Sequence, residues 1–315
     1  MNKSIWLSIF LLSSAQSFAS ERIYLGTGDI NGIYYQVGGE LCRLATNSSL
    51  NYRCAVVPSS GSIDNLALLE AKQINFAMVQ SDWAFQASHG LGFFSGKPNH
   101  GLRALFATHA EPFTLVVRAD SRLHSIGDIK GKKVNFGQVG SGTRQTAMTL
   151  LNNIAINIRD VQEVDVTYPG DALCKGDIDV FAMVSGHPNK TLVDTAKQCA
   201  FRFLPIEGAV LSAILTNSPY YQKSQIPPRL YPGNVKPVPT FAVAAILVTS
   251  ANTSNEQAYA ITKGMLNEQT NFNKQTFAYA NLFRLNRHRT GKVLPIEQHL
   301  GAVRYFDELK QSGKL

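Results

Sequence analysis

The chain has 315 residues, of which 30 are Lys or Arg and 22 are Asp or Glu, so its formal net charge is +8. At this length a single hydrophobic core stops growing, and two domains are expected. The positive charge favours anionic ligands, but the basic residues are scattered without a continuous run, which argues against nucleic-acid binding.

The N-terminus has the pattern of a secretion signal. Lys3 precedes a mostly apolar stretch over 5–12, and Ser17-Phe18-Ala19 places small residues where a signal peptidase cleaves. We expect residues 1–19 to be a signal peptide, cleaved after Ala19, and the mature protein to be exported to the periplasm. The apolar stretch is too short for a transmembrane helix.

The four cysteines fit structural disulfides in an exported protein. Four cysteines allow three pairings, and short loops favour Cys42 with Cys54 and Cys174 with Cys199; free buried thiols are the alternative. The chain contains neither a C-x-x-C pair nor an H-E-x-x-H pattern. We therefore predict no metal site and no cofactor.

Strands and helices alternate along the first part of the mature chain. The patterns predict strands at 22–26, 52–58 and 75–79 and helices at 34–46 and 62–72. Each strand is followed by a turn rich in Gly, Ser, Thr or Asp and then by a helix. This alternation is typical of βαβ units, in which helices cover both faces of a largely parallel sheet.

A second set of elements follows in the same order. It has predicted strands at 113–118, 132–136, 164–168 and 180–184 and predicted helices at 143–153 and 191–199. We therefore predict an α/β fold with two lobes around a ligand cleft, joined by crossing strands.

The C-terminal third is expected to connect the lobes. Residues 219–240 contain six prolines and predict a long loop, whereas 241–249 predict a buried strand. From 254 onward the pattern is helical, with a break near 289–295. The predicted domains are lobe one, 20–113 plus 250–315, and lobe two, 114–249.

Four turns between a strand and the next helix are rich in glycine, hydroxyl or amide groups. They cover 27–35, 59–62, 80–82 and 140–143. Ligands of open α/β sheets bind beyond the carboxyl ends of the strands, and a helix N-terminus attracts anions. Capping of the next helix by Ser62 or Thr143 would explain one such turn. Four turns in the expected places favour a binding cleft.

Known enzyme motifs fit these turns poorly. Gly26-Thr27-Gly28 lacks the third glycine of a dinucleotide-binding loop, no P-loop is present, and Ser141 lacks a G-x-S-x-G setting. We expect a protein that is not an enzyme. Two alternatives stay open: an enzyme with Ser141 as nucleophile, for which His187 is the candidate histidine at the cleft, and an exported interaction module.

Several short motifs occur in a fixed order along almost the whole mature chain. They are Gly26-Thr27-Gly28 with Gly32-Ile33-Tyr34-Tyr35, Ser60-Gly61-Ser62 with Asn65-Leu66, Val79-Gln80-Ser81-Asp82, Gly137 with Gly140-Ser141-Gly142-Thr143, Gly186-His187-Pro188, Tyr231-Pro232-Gly233, Val238-Pro239-Thr240 and Leu247-Val248-Thr249. Together they resemble the TAXI-type solute-binding receptors of TRAP transporters. Asp29-Ile30-Asn31 replaces a stretch that is usually smaller and richer in glycine.

The resemblance implies a type II periplasmic binding-protein fold that closes on a small organic anion. It also implies delivery of the anion to TRAP membrane subunits that are driven by an ion gradient. We expect a monomer that binds a small carboxylate such as 2-oxoglutarate or glutamate. The candidate ligand-binding residues are Thr27, Gly28, Tyr34, Ser60, Gly61, Ser62, Gln80, Ser81, Asp82, Ser141, Gly142, Thr143 and His187.

Asp82 carries a more specific hypothesis about the ligand. If its ionised carboxylate points into the cleft, it should favour a ligand with an ammonium group, glutamate over 2-oxoglutarate. If it caps its own helix instead, the keto acid is equally acceptable.

Overall fold

The computed structural model describes residues 20–48, 51–267 and 294–313. The strands are β1 (Glu21–Gly26), β2 (Tyr52–Val57), β3 (Phe76–Gln80), β4 (Leu102–Arg118), β5 (Lys133–Asn135), β6 (Gln162–Glu163), β7 (Val180–Val184), β8 (Phe201–Leu204), β9 (Gln222–Ile226) and β10 (Val238–Ser250). The α-helices are α1 (Ile33–Ser48), α2 (Ser62–Glu70), α3 (Ser81–His89), α4 (Gly142–Asn153), α5 (Pro169–Lys175), α6 (Lys190–Gln198), α7 (Gly208–Asn217), α8 (Asn255–Asn267) and α9 (Leu300–Gln311).

The strands form one sheet in the order β2-β1-β3-β10-β4-β7-β5-β6, with β8 paired to β4 and β9 paired to β10. β1 pairs in parallel with β2 and β3, and β5 pairs in parallel with β6 and β7. The long strands β4 and β10 are antiparallel to each other and connect these two groups. We call β1–β3 with α1–α3 the first half, and β5–β8 with α4–α7 the second half.

Each half has its own apolar core. In the first half, α1 packs its buried face against the sheet and against α8, and α9 packs against α8; both C-terminal helices return to this half. In the second half, α4 and α7 cover one face of the sheet. Where the chain passes between the halves, the rings of Phe113 in β4 and Phe241 in β10 stack with their centroids 5.2 Å apart.

Two disulfides are present, and both follow the predicted pairing. Cys42 in α1 is bonded to Cys54 in β2, and Cys174 in α5 is bonded to Cys199, which follows α6. Each bond ties a helix to a neighbouring element within one half.

Most predicted strands and helices are confirmed within a few residues. The predicted strand at 164–168 is wrong, because β6 ends at Glu163; the Nδ2 of Asn135 donates to the carbonyl oxygen of Val164 just beyond that end. Part of the predicted loop at 219–240 is also wrong, since β9 forms a hairpin with β10. α5, β8 and α7 were not predicted, and β4 begins at Leu102, well before the predicted start.

Two predictions fall on residues that the structure does not describe. The signal peptide at 1–19 lies outside the described ranges, and so does most of the predicted helix break near 289–295. In the described part of the chain, no helix is both long and apolar enough to cross a membrane.

Candidate functional site

A cavity of about 170 Å³ lies where the two halves meet. Its walls come from the N-termini of α1, α2 and α4, from the end of β3, from the middle of β4 and from the end of β7. The lining residues are Gly28, Asp29, Gly32, Ile33, Tyr34, Ser60, Gly61, Ser62, Gln80, Glu111, Ser141, Gly142, Thr143, Val184 and Ser185. All four predicted turns therefore reach this one cavity.

Three helix N-termini converge on the cavity, and each brings a partial positive charge. The first N–H groups of an α-helix have no carbonyl partner within the helix, so they can donate to an anion. The turn before α2 depends on Gly61, whose φ of 114° is unfavourable for any residue with a Cβ. The cavity is thus suited to a negatively charged group.

The turn before α4 is held by its own hydroxyl groups. The Oγ of Ser141 accepts a hydrogen bond from the Arg144 N–H at 3.2 Å and so caps the helix. The Oγ1 of Thr143 accepts one from the Val184 N–H at 3.0 Å, which fixes the turn to β7. These bonds leave the N–H groups of Gly142 and Thr143 at the start of the helix free of helical partners.

The turn before α2 is held in a similar way. The Ser60 N–H donates to Asp64 at 3.0 Å, and the Gly61 N–H donates to Ser59 at 3.0 Å. The Oγ of Ser62 accepts from the Gln80 N–H at 3.0 Å, which joins this turn to the end of β3. The turns at 59–62 and 80–82 therefore form one hydrogen-bonded unit.

Side chains of the first half bond directly to α4 of the second half. The Gln80 Nε2 donates to the Oγ1 of Thr146 at 3.1 Å, and the Trp83 Nε1 donates to the carbonyl oxygen of Gly142 at 3.1 Å. Gly142 permits this approach, because a Cβ there would lie 2.0 Å from the Oε1 of Gln80. The structure therefore shows the cleft with its two walls in contact.

Asp82 is buried beside the cavity and is absent from its lining. Its carboxylate accepts hydrogen bonds from the Trp83 N–H at 3.0 Å, the Thr146 hydroxyl at 2.8 Å and the Tyr221 hydroxyl at 3.3 Å. Burial raises the pKa of Asp82 to about 7, against the lowering effect of these donors. Asp82 is therefore not the N-cap of α3, which is Gln80, and its carboxylate instead joins the first turn of α3 to Thr146 and Tyr221.

Three other candidate residues also lie off the cavity lining. Thr27 donates to the Val57 carbonyl at 2.9 Å, and Ser81 accepts from the Ala244 N–H at 3.0 Å. The two ring nitrogens of His187 bond to the hydroxyls of Thr114 at 2.9 Å and Tyr231 at 2.8 Å. Burial lowers the pKa of His187 to about 4.

These contacts bear on the enzyme alternative. A serine nucleophile needs a base within hydrogen-bond distance. Ser141 is engaged in capping α4, and His187 is held by Thr114 and Tyr231. In the ranges that the structure covers, no hydrogen bond joins Ser141 to His187.

Glu111 lines the cavity and was not predicted. It lies in β4, is 2% exposed, and accepts a hydrogen bond at 2.8 Å from the hydroxyl of Tyr34. Burial and the Glu111 carboxylate together raise the pKa of Tyr34 well above its ordinary value. A single acidic residue within an otherwise apolar stretch was the signal that could have identified it.

Elsewhere in the described chain, fewer features of a binding site are present. A larger cavity, of about 550 Å³, lies between the end of α2 and residues 250–257, and none of the four predicted turns lines it. Among the described residues, no group of three or more His, Cys, Asp or Glu side chains is arranged to hold a metal ion.

Comparison with known proteins extends over nearly the whole chain. A model of the NMT1-like family matches residues 25–309. The alkanesulfonate-binding protein SsuA from Xanthomonas axonopodis pv. citri, bound to MOPS, has a TM-score of 0.50 and 16% identity, with 94% of this chain and 81% of that chain covered.

Two further solved structures are similar to the same degree. A putative L-cystine ABC transporter from Listeria monocytogenes has a TM-score of 0.51 and 12% identity, with 89% of this chain and 100% of that chain covered. A Streptococcus mutans structure, concerned with glutathione import via GshT and the cystine ABC importer TcyBC, has a TM-score of 0.51 and 12% identity. The match covers 86% of this chain and 95% of that chain. At these identities the likeness shows the fold, and the predicted type II periplasmic binding-protein fold is confirmed.

Proposed function

The chain belongs to the NMT1-like family, and we propose that it is an exported solute receptor for a small organic anion, 2-oxoglutarate or a glutamate-like acid. The observation that carries this proposal is the convergence of three helix N-termini on the cavity between the halves. The similar structures named above include a binding protein for alkanesulfonates, which are also small organic anions. The proposed receptor carries out no chemical step on its ligand.

The cavity can supply enough binding energy without a basic side chain. Its described lining contains no Lys or Arg, so the anion would be held by hydroxyls at the turns Ser60–Ser62 and Ser141–Thr143 and by the N–H groups of Gly142 and Thr143. Hydrogen bonds to a charged group contribute about 1.5–3 kcal/mol each. Three of them, with contact to the ring of Tyr34, would approach the ~8 kcal/mol of a micromolar site.

The same contacts would couple binding to closure. A ligand shifts a conformational equilibrium only if it binds one state better than the other. An anion between the two turns touches both halves at once and therefore favours the closed state. We propose that the halves move as lobes, 20–113 with 250–315 and 114–249, about the crossings of β4 and β10.

The proposed partner is a set of TRAP membrane subunits. The support for it is the ordered set of TAXI-type motifs, while the similar L-cystine and glutathione import structures concern ABC systems. TRAP and ABC transporters differ in energy source, since an ion gradient drives the first and ATP the second. In cells that produce this chain and its transporter, uptake of the bound acid should stop when an ionophore collapses the ion gradient while ATP is maintained. Uptake that persists would contradict a TRAP partner.

A thermal-shift screen tests the receptor proposal. The full-length mature chain is heated with mono- and dicarboxylates and acidic amino acids, and with the corresponding uncharged amides as matched controls. A ligand at 100 times its dissociation constant should stabilise the protein by about 2.7 kcal/mol, and its uncharged amide should not. If no acid gives a shift, the receptor proposal is wrong, and the interaction-module alternative becomes the better one.

A further inference from the structure

Glu111 places a carboxylate in a cavity that otherwise suits an anion. It pairs with Val243 across the crossing strands, and only 2% of its surface is exposed. The described lining contains one other acid, Asp29, which is exposed, and no basic side chain. The cavity therefore combines helix N-termini with a buried acidic side chain.

The two oxygens of Glu111 differ in their surroundings. Oε2 accepts the hydrogen bond from Tyr34. Oε1 faces the Nε2 of His109 at 3.7 Å, which is longer than a hydrogen bond. That nitrogen has no hydrogen-bond partner among the described residues, although it is buried. Oε1 and the imidazole thus lie together without a bond between them.

The neighbouring threonine indicates that the Nδ1 of this imidazole carries a proton. The Thr108 hydroxyl donates to the Ala245 carbonyl at 3.1 Å, so its oxygen can accept from the Nδ1 of His109 at 3.0 Å. In the neutral ring, a proton on Nδ1 makes Nε2 an acceptor. In that tautomer the His109 Nε2 and the Glu111 Oε1 are both acceptors, and neither donates to the other.

The described lining of the cavity offers Glu111 no Lys or Arg, and a buried carboxylate is stabilised when a charged donor binds beside it. We propose that Glu111 accepts a hydrogen bond from a primary ammonium group of the ligand, while the ligand's carboxylate binds the helix N-termini. The ligand class is then α-amino acids, and the corresponding 2-oxo acids are disfavoured. This inference rests on the proposed function. It moves the selection of an ammonium group from Asp82, which lies off the cavity, to Glu111.

Matched pairs of ligands test the inference on the unaltered protein. Titration calorimetry compares each amino acid with the 2-oxo acid of the same skeleton, starting with L-glutamate and 2-oxoglutarate, and includes glutarate. We expect the amino acid to bind at least about tenfold more tightly, because a site built around a buried acceptor discriminates against a ligand that cannot donate to it.

The Glu111→Gln variant tests the residue itself. Its amide oxygen can still accept from Tyr34, but its charge is gone. Amino-acid affinity should fall about 30-fold or more, and the preference over the 2-oxo acid should nearly vanish. Asp120→Asn is the matched control: it removes one carboxylate from an exposed ion pair with Arg118 just beyond β4 and should leave the preference unchanged.

The outcomes separate this inference from the receptor proposal. If 2-oxo acids or glutarate bind the wild type as tightly as the amino acids do, Glu111 is not an ammonium site. A protonated His109 would then explain the burial of Glu111, and the receptor proposal would stand. If Glu111→Gln keeps the wild-type preference for amino acids over 2-oxo acids, the assignment to Glu111 is also overturned. If none of these acids binds, the receptor proposal and this inference fail together.

Discussion

The indole N–H of Trp83, in the first half, donates a hydrogen bond to the carbonyl oxygen of Gly142, at the first turn of α4 in the second half, over 3.1 Å. The Trp83 ring is almost completely buried in the core of the first half. Its position is therefore fixed, and through this bond it fixes the N-terminus of α4 relative to the first half. The turn before α4 is therefore held in place from across the cleft.

Trp83→Phe should weaken this link between the halves. Loss of one neutral hydrogen bond costs about 0.5–1.5 kcal/mol, so ligand affinity should fall about two- to tenfold as the closed state becomes less favoured. The smaller ring also leaves space in the core and should lower the free energy of unfolding by roughly 1–3 kcal/mol. Calorimetry and urea unfolding measure the two effects separately.

Phe76→Leu is the matched control for Trp83→Phe. Phe76 is a fully buried ring at the start of β3, in a part of the first-half core that does not contact α4. This variant should lose stability and keep its affinity. Equal affinity losses in the two variants would mean that the Trp83 bond has no special role in closure.

Gly142→Ala should block the close approach of the two halves. The added Cβ would lie 2.0 Å from the Oε1 of Gln80 and 2.9 Å from the Oγ of Ser62. The Gln80 amide would have to leave Thr146, which separates the walls of the cavity. We expect affinity to fall tenfold or more, and stability to fall by about 0.5–1.5 kcal/mol for the lost Gln80 hydrogen bond, since alanine itself is well tolerated at the start of a helix.

Gly39→Ala controls for the change from glycine to alanine in a helix. Gly39 lies in α1, and an added Cβ there meets no other atom within 4 Å. This variant should keep its affinity and gain about 0.5–1 kcal/mol of stability. If Gly142→Ala binds as well as Gly39→Ala does, the close approach at Gly142 is not needed for binding.

Asp82 should make stability depend on pH. Burial raises its folded pKa from 3.8 to about 7, so between these values the folded protein binds the proton more tightly than the unfolded chain does. The free energy of unfolding should therefore fall as pH rises from about 4 to about 7, by on the order of 4 kcal/mol in total. His187, with its pKa lowered to about 4, contributes the opposite slope below about 6.5.

Asp82→Asn isolates the contribution of Asp82, because His187 is the same in both proteins. Urea unfolding at several pH values from 4.5 to 8 should show the variant gaining stability relative to the wild type as pH rises, with the gain levelling off above about 7. A difference that is constant with pH would mean that Asp82 ionises as it does in the unfolded chain.

The sequence predicts those elements whose side chains follow a simple period. The apolar stretch of β7 and the amphipathic pattern of α6 appear at nearly the predicted bounds. α7 is apolar on most sides and therefore lacks the polar face that marks a surface helix. The start of β4 was missed because His109 and Glu111 interrupt its apolar pattern, and both are buried by the crossing of β4 with β10.

At the cavity too, the sequence could locate some residues and not others. Turns such as Ser60–Ser62 and Gly140–Thr143 could be located because the carboxyl ends of parallel strands share one edge of the sheet. Which side chain of a turn faces the cavity depends on helix rotation and on bonds to distant residues, as for Asp82 and Tyr221. Glu111 comes from a crossing strand, whose place at the cavity follows only from the sheet order.

Ser141→Ala combined with Thr143→Ala tests the turn before α4. The first change removes the helix cap, which costs about 1 kcal/mol, and the second leaves the Val184 N–H without its acceptor. Carboxylate affinity should fall tenfold or more, while the second half stays folded. Asn157→Ala removes the cap of a short 3-10 helix, Ile158–Asp160, away from the cavity, and should cost stability alone. Carboxylate binding by the double variant at the wild-type level would show that these hydroxyls do not hold the anion site.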